Sequence, residues 1–466
     1  MSVRLVAPVL ALTVAADAAK AAQPAPAVHG PELTALLPAD LGPTDDATAT
    51  EELPAEESSA PVASAPPLVV TGYVDVGFAK AQGNGTSYPP GFVAPIPGAP
   101  VDYFVDTFAP AVSSRGEAAS VDPGNQPVAG FFPRSAGIGG KPSFLLNTAS
   151  VDVRYTAPEI PILVFTRVQV VPRLYGPDPP PPGFFDGDST RVVVEQAFGR
   201  LTPIKSSELA LSVGKFDSVF GIEYLENQAN FRIGVTPSLF ARYTTGQSVG
   251  AKVFYRVQLL GIASAVSLNV AATNSGTFVE ALQGPSRSLT GAPVTSARLG
   301  YELNLERVSL KAGASASYGP RNDQLEGTGP KQALYGFDAR LVAPTLTVAG
   351  EYVHVEEDEA SGPKLTGAGT FPMVTEFYAK GFYVQAADEL PLQISPFRIT
   401  VYARYDRRHA EFEGFSDIQV DRITGGINVG IGDNLQVKAE YLANRELAGA
   451  PQVANNVFTS SVVWTW

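Results

Sequence analysis

Phe458-Thr459-Ser460-Ser461-Val462-Val463-Trp464-Thr465-Trp466 closes the chain. In an extended strand, successive side chains point to opposite faces. Phe458, Val462, Trp464 and Trp466 therefore share one face, interrupted only by Ser460, while Thr459, Ser461 and Thr465 share the other. An apolar terminal strand with an unpaired edge invites aggregation in water. A sheet closed on itself in a bilayer removes that hazard, because the last strand pairs with the first and the apolar face meets lipid.

The start of the chain points to the same compartment. Met1-Ser2-Val3-Arg4 is short and basic, and Leu5 to Ala16 is apolar except for one Thr and one Pro. Small-residue patterns at Ala16-Asp17-Ala18 and Ala19-Lys20-Ala21 follow. Residues 1–21 read as a secretory signal peptide, since the apolar run is too short to span a membrane as a helix. Residues 22–67 are rich in Ala and Pro, carry no Lys or Arg, and hold the acids Glu32, Asp40, Asp45, Asp46, Glu51, Glu52, Glu56 and Glu57. This stretch cannot bury enough apolar surface to offset its ordering entropy, and reads as a disordered acidic periplasmic tether. It also supplies much of the formal charge of −13, so the acidity of the chain says little about the rest.

From residue 68 to residue 466 the dominant period is two. Val70, Val74, Val76 and Phe78 alternate with Thr71, Tyr73 and Asp75, and Phe397, Ile399, Val401 and Ala403 alternate with Arg398, Thr400, Tyr402 and Arg404. Ala333 to Leu341 and Leu435 to Tyr441 repeat the pattern. Such alternation marks strands with one apolar and one wet face. Strands are expected near 68–82, 144–156, 162–174, 190–201, 208–221, 246–259, 264–275, 294–304, 308–319, 331–344, 346–358, 375–388, 397–410, 417–432, 434–446 and 455–466. Their connections alternate long and short, with short ones such as Leu305-Glu306-Arg307 and Gly432-Asp433-Asn434. The fold class is therefore all-β: a closed antiparallel transmembrane β-barrel of about 16 strands with short periplasmic turns, long outer loops and both termini periplasmic. Composition agrees. Hydrophobic residues make up 45% of the chain and charged residues 17%, against about 25% charged in an average soluble protein. The absence of Cys excludes disulfides, thiolate metal sites and Cys nucleophiles.

If the apolar face meets lipid, the other face lines the lumen. Alternation assigns to it the bases Arg154, Arg167, Arg191, Lys252, Arg256, Arg298, Lys311, Arg340, Lys380, Arg398, Arg404, Arg422 and Lys438. It assigns the acids Asp75, Asp152, Glu195, Glu208, Glu302, Asp338, Glu351, Glu376, Asp406 and Glu440. The slight basic excess points to weak anion preference, since a charge at lipid mid-depth costs about 2–4 kcal/mol and these groups belong in water. The first outer loop, 83–143, is far longer than the others, and Tyr103, Phe104 and Phe108 make it the candidate for folding inward and narrowing the pore.

Other chemistries are poorly supported. The histidines are His29, in the tether, and His354 and His409, at strand ends, with no catalytic motif around them. The run Glu356-Glu357-Asp358-Glu359 lacks the spacing of a calcium loop, and no basic run suits nucleic acid. No catalytic residue, metal or cofactor is expected. The function classes are a diffusion porin, a structural or adhesive surface barrel without an open pore, and a barrel-rim hydrolase.

Gly214-Lys215-Phe216-Asp217-Ser218-Val219-Phe220-Gly221-Ile222-Glu223 resembles a strand-and-loop segment of large bacterial porins, including the phosphate-selective group. Gly381-Phe382-Tyr383-Val384-Gln385-Ala386 and Tyr402-Ala403-Arg404-Tyr405-Asp406 resemble late strands of the same group. The ending resembles the closing strand of outer-membrane barrels, which finishes on an aromatic residue with apolar residues two and four positions earlier. Here it ends on Trp rather than the usual Phe. These resemblances imply a Gram-negative outer-membrane location and passive diffusion of small hydrophilic solutes or anions. They also imply a homotrimer in outer-membrane lipid, and recognition of Trp464 and Trp466 by the barrel-assembly machinery. No arginine ladder or lysine cluster for phosphate can be placed.

Overall fold

The computed structural model describes residues 67–81, 120–121, 127–128, 143–171, 191–204, 207–259, 263–274, 293–320, 331–357, 364–366, 369–371, 377–392, 396–412, 417–448 and 456–466. The signal peptide expected at 1–21, nearly all of the tether expected at 22–67, and Tyr103, Phe104, Phe108 and Glu376 lie outside these residues.

Sixteen strands form one closed antiparallel barrel. They are β1 (Leu68–Ala81), β2 (Ser143–Thr156), β3 (Ile162–Val171), β4 (Arg191–Leu201), β5 (Glu208–Asp217), β6 (Gln247–Leu259), β7 (Ser264–Thr273) and β8 (Val294–Leu305). There follow β9 (Val308–Pro320), β10 (Lys331–Val342), β11 (Leu346–Glu357), β12 (Phe377–Glu389), β13 (Phe397–Phe412), β14 (Ile418–Ile431), β15 (Leu435–Leu447) and β16 (Val457–Thr465). Two minor hairpins lie outside the barrel sheet.

Closure is made by β1 and β16, in register from Tyr73 opposite Thr465 to Ala81 opposite Val457. Beyond the strand end, the Trp466 N–H donates to the Gly72 carbonyl at 3.0 Å and the Gly72 N–H donates to the Trp466 carbonyl at 3.2 Å. No sheet edge is left at this seam, which a bilayer requires because an unpaired backbone group in hydrocarbon costs several kcal/mol. Trp464 is 55% and Trp466 42% exposed, facing outward, while their neighbours Val463 and Ser461 are buried in the interior. The outward stripe continues around the barrel through residues such as Val70, Val153, Val213, Leu268, Leu299, Phe337, Val384, Val401, Ile427 and Val437. The opposite face carries the polar and charged residues. This arrangement of a closed even-stranded sheet, apolar outside and polar inside, is that of a porin-like outer-membrane barrel.

Two bulges re-aim side chains. The β3–β4 register shifts between Arg167 and Val168, so that Glu195 is the extra residue of β4 and Glu195 and Gln196 are buried together. The β1–β2 register shifts between Asp75 and Val76, and the extra residue, Asn147, donates from its amide to Asp75 at 3.0 Å. Both follow from one strand holding one more residue than its partner.

One strand is shorter than its alternation suggests. β5 stops at Asp217, not 221, and the chain turns into the barrel rather than continuing outward.

Candidate functional site

Residues 218–246, between β5 and β6, fold inside the barrel. Most of them are buried. Only two single turns of helix interrupt the segment, Glu223–Glu226 and Ala241–Thr244. Its apolar anchors are two interior clusters. Val219 joins Phe165, Phe198, Phe216 and Ala271, and Ala229 joins Tyr73 and Val463.

A buried segment without a ladder must satisfy its backbone through side chains. The barrel wall supplies them. At the entry the Gly221 N–H donates to Ser315 Oγ at 3.0 Å, and the N–H groups of Ile222 and Glu223 donate to the Glu351 carboxylate at 3.2 Å each. Gly221 has φ +69°, and a Cβ there would lie 1.8 Å from a Glu351 oxygen, so both backbone and space require glycine. On the far side, Val235 and Thr236 donate their N–H groups to Glu440 at 2.8 Å each, and the hydroxyls of Thr236 and Tyr402 donate to the same carboxylate. The Leu239 N–H donates to Asp406 at 3.1 Å. Carbonyls are met by cations: Arg404 donates to Thr236 at 2.9 Å and Pro237 at 2.8 Å, and Lys438 donates to Ala229 and Arg232. Asn428 and Gln436 donate to the carbonyls of Ile233 and Asn230.

Side chains complete the attachment. Gln228 accepts from Tyr73 at 2.6 Å and Gln169 at 2.7 Å, and donates to Glu195 at 2.9 Å. Arg340 bonds Glu226 at 2.8 Å, and Arg408 donates to the Tyr243 hydroxyl at 2.8 Å. Phe240 lies over Gly381 of β12, where a Cβ would come within 2.4 Å of its ring. Within the segment, Arg232 donates to the carbonyls of Glu226, Asn227 and Val235, holding the turn closed. Glu223 accepts from the Ser238 N–H at 2.7 Å and from its hydroxyl. Burial pushes the Glu223 carboxyl above the usual carboxylate range, against these hydrogen bonds and the nearby Arg404 and Arg232 charges.

The alternation-derived residues fall into three groups. Glu351, Asp406, Glu440, Arg340, Arg404 and Lys438 hold the inward segment, and Glu195 holds Gln228. A second group pairs across the wall. Arg167 bonds Asp152 at 2.6 Å and lies 3.9 Å from Glu195. Arg256 bonds Glu208 at 3.0 Å and Glu302 at 2.9 Å. Arg298 bonds Asp338, and Lys311 lies 3.6 Å from Glu302. Lys252 sits 5.1 Å over the Phe216 ring, Arg422 donates to Asn444 at 2.8 Å, and Asp75 accepts from Ser461. Arg154 is partly exposed on the face of Asp152. Arg398 is tied at the short-turn end to the Gly432 carbonyl and lies 3.7 Å from Asp433. The Arg191 backbone is in β4.

The third group is a correction. Lys380 shares the outward face of β12 with Val384, whereas Tyr383 and Gln385 point inward. It pairs with Glu411 at 3.3 Å beside His409. It stands close to the start of β12, where a lysine head can reach water past the apolar belt. The lumen assignment failed because Lys380 shares the parity of Phe382 and Val384, the apolar side of this strand. His354 also faces outward, stacked on Tyr335 at 4.5 Å and bonded to Glu356 at 3.0 Å.

Wall residues Arg200, Arg408 and Glu446, and Glu223, Glu226 and Arg232 of the segment, were not read from the sequence. For the segment a signal existed. Val219, Phe220, Ile222, Tyr224, Leu225, Phe231, Ile233, Val235, Leu239, Phe240 and Tyr243 are too apolar for a solvated loop and lack the strand period.

No family model matches the chain, and no curated protein matches it. Among solved structures it is similar to the outer-membrane channel DcaP of Acinetobacter baumannii, with 12% identity and a TM-score of 0.48 over 86% of this chain and 97% of that one. It is similar to an anion-selective porin from Comamonas acidovorans, with 8% identity and a TM-score of 0.48 over 86% of this chain and 99% of that one. OmpT of Vibrio cholerae gives 11% identity and a TM-score of 0.45 over 86% and 97%.

Proposed function

We propose that the protein is an outer-membrane porin through which small hydrophilic solutes diffuse, without chemistry on the solute. The observation that carries this reading is the barrel itself. Sixteen strands leave an aqueous lumen in other barrels, and here that lumen is lined by paired charges and narrowed by residues 218–246 rather than packed with apolar side chains throughout. The constriction read from the sequence for 83–143 lies almost entirely outside the described residues, and the inward segment 218–246 is a separate narrowing element.

The reading includes weak anion preference. The sequence pI near 4.8 argues the other way, but charges outside the lumen are screened over about 8 Å at physiological salt. Inside, most acids are engaged by cations or by segment N–H groups, and Arg154 remains partly exposed. A trimer in outer-membrane lipid, with both termini periplasmic and passage through the barrel-assembly machinery, completes the proposal.

A surface barrel without an open pore is the second reading. It is favoured by one observation: the segment is tied to strands on several sides, from β1, β3 and β4 to β9–β15. Planar-bilayer recording separates the two. Stable ohmic steps with a reversal potential at or slightly toward the anion limit support the porin. A folded barrel that gives no steps supports the closed barrel, and clear cation selectivity overturns the anion preference.

A further inference from the structure

Outside the lumen, charges gather at one level of the outward face, across β13, β14 and β15. Arg407 shares its parity with Val401 and Tyr405, Asp421 with Ile423 and Ile427, and Arg445 with Val437 and Tyr441. Arg408, Arg422 and Lys438 of the same strands are buried in the interior. Arg407 stands opposite Asp421, and Asp421 opposite Arg445, so the three form one row across the sheet.

The row is built around the carboxylate. Asp421 accepts from Arg407 Nε at 2.9 Å and Nη2 at 2.8 Å, and from the Tyr405 hydroxyl at 2.9 Å. These groups bury it, although Ile423 and Ile427 on the same face are exposed. Arg407 also lies 5.8 Å over the Tyr405 ring, so the fork and the stacking together fix its guanidinium, yet its side chain stays 43% exposed. Arg445 is exposed and, among the described residues, makes no ion pair. Two guanidinium groups therefore flank one carboxylate, and the row carries a single positive excess. The nearby Lys380 is balanced by Glu411 at 3.3 Å, which leaves that excess on the arginines.

Depth decides what they meet. Arg407, Asp421 and Arg445 each lie about ten positions from the short-turn end of their strand, at Phe397, Ile431 and Leu435. At about 3.4 Å per residue and a tilt of about 35–45°, that is roughly 24–28 Å along the membrane normal, against an apolar belt about 25 Å tall. The row stands at the edge of the belt, where acyl chains give way to headgroups and a basic side chain costs little. The planar donor fork of arginine suits a phosphate, and here one fork is already held in place.

We propose that Arg407 and Arg445 form a site for the phosphate of an outer-leaflet lipid, with Asp421 and Tyr405 positioning Arg407. This rests on the outer-membrane reading, with the short turns in the periplasm.

The test uses the full folded chain in detergent. Its probes are diphosphoryl lipid A, the same lipid without its phosphates, and inorganic phosphate, with bound lipid counted by native mass spectrometry. The phosphorylated lipid should be retained about tenfold or more over the dephosphorylated form. Arg407→Gln with Arg445→Gln should remove that preference, since each charge-assisted bond contributes about tenfold or more. Lys80→Gln, which removes an exposed cation from the outward face of β1, should leave the preference unchanged. Heat-modifiable mobility confirms the fold, and where the double variant does not fold, Arg445→Gln alone carries the test. No preference for the phosphorylated lipid, an equal loss with Lys80→Gln, or saturation of the site by inorganic phosphate alone overturns the lipid site. A changed oligomeric state with unchanged lipid binding in the arginine variant assigns the row to a subunit contact and also overturns it. The chain has no Cys, so Asp433→Cys in the short turn between β14 and β15 gives a single thiol. It should stay unlabelled by an impermeant maleimide on intact cells; labelling would refute the orientation, which is a distinct result.

Discussion

Glu440→Ala should release the inward segment without unfolding the barrel. The Glu440 carboxylate receives the N–H groups of Val235 and Thr236 at 2.8 Å each, together with the hydroxyls of Thr236 and Tyr402. Its side chain is buried, so water does not stand ready to replace it. Stranding a buried donor costs about 1–3 kcal/mol, so the two backbone donors alone weaken the docked state by roughly 2–6 kcal/mol. At 1.4 kcal/mol per factor of ten, the detached population rises by at least about tenfold. The backbone of residue 440 sits in the β14–β15 and β15–β16 ladders, which do not use the carboxylate. Two measurements check this: single-channel recording and limited trypsin digestion. Conductance should rise or become noisier, and Arg232, buried in the native chain, should become a cleavage site. A heat-modifiable, folded barrel with wild-type conductance, wild-type noise and a trypsin-resistant segment would refute the reasoning. Glu440→Gln keeps one acceptor oxygen and should fall between the two.

Four further outcomes are expected. Gly221→Ala should loosen the segment at its entry, because the left-handed backbone alone costs about 1–2 kcal/mol in a non-glycine residue and the new methyl meets Glu351; trypsin sensitivity measures it. Glu223→Gln should raise stability at neutral pH and not below the ordinary carboxylate range. A raised folded-state pKa gives stability that is fully present at low pH and lost as pH rises through it, so an unchanged denaturation midpoint across pH 4–8 would contradict the burial argument. Arg154→Glu should move the reversal potential toward cations without touching the segment, whereas Arg404→Glu should also disturb Thr236 and Pro237. Deleting residues 31–60 should leave heat-modifiable mobility as it was; its loss would mean the tether is structural.

How the fold was legible can be argued from particular strands. In β13 the outward Phe397, Val401 and Ala403 and the inward Tyr402 and Arg404 follow directly from period two. In β16 the same period put Trp464 and Trp466 outside. The alternation of long and short connections gave the even strand number, because each short turn can only join antiparallel neighbours. Once closed, the sheet has two faces, and lipid leaves no choice about which is apolar.

The sequence by itself determined the strands, their faces and the closure of the barrel, because those depend on local period and on the need to pair every backbone group in a bilayer. Only the tertiary structure decided what occupies the lumen. Gly221 next to Glu351, Val235 next to Glu440 and Gln228 next to Glu195 are separated by 130, 205 and 33 positions or nearly so along the chain, and no local pattern encodes such meetings. Lys380 differs: period two already puts it with Phe382 and Val384 on the outward face of β12, opposite His354 and His409 of the neighbouring strands.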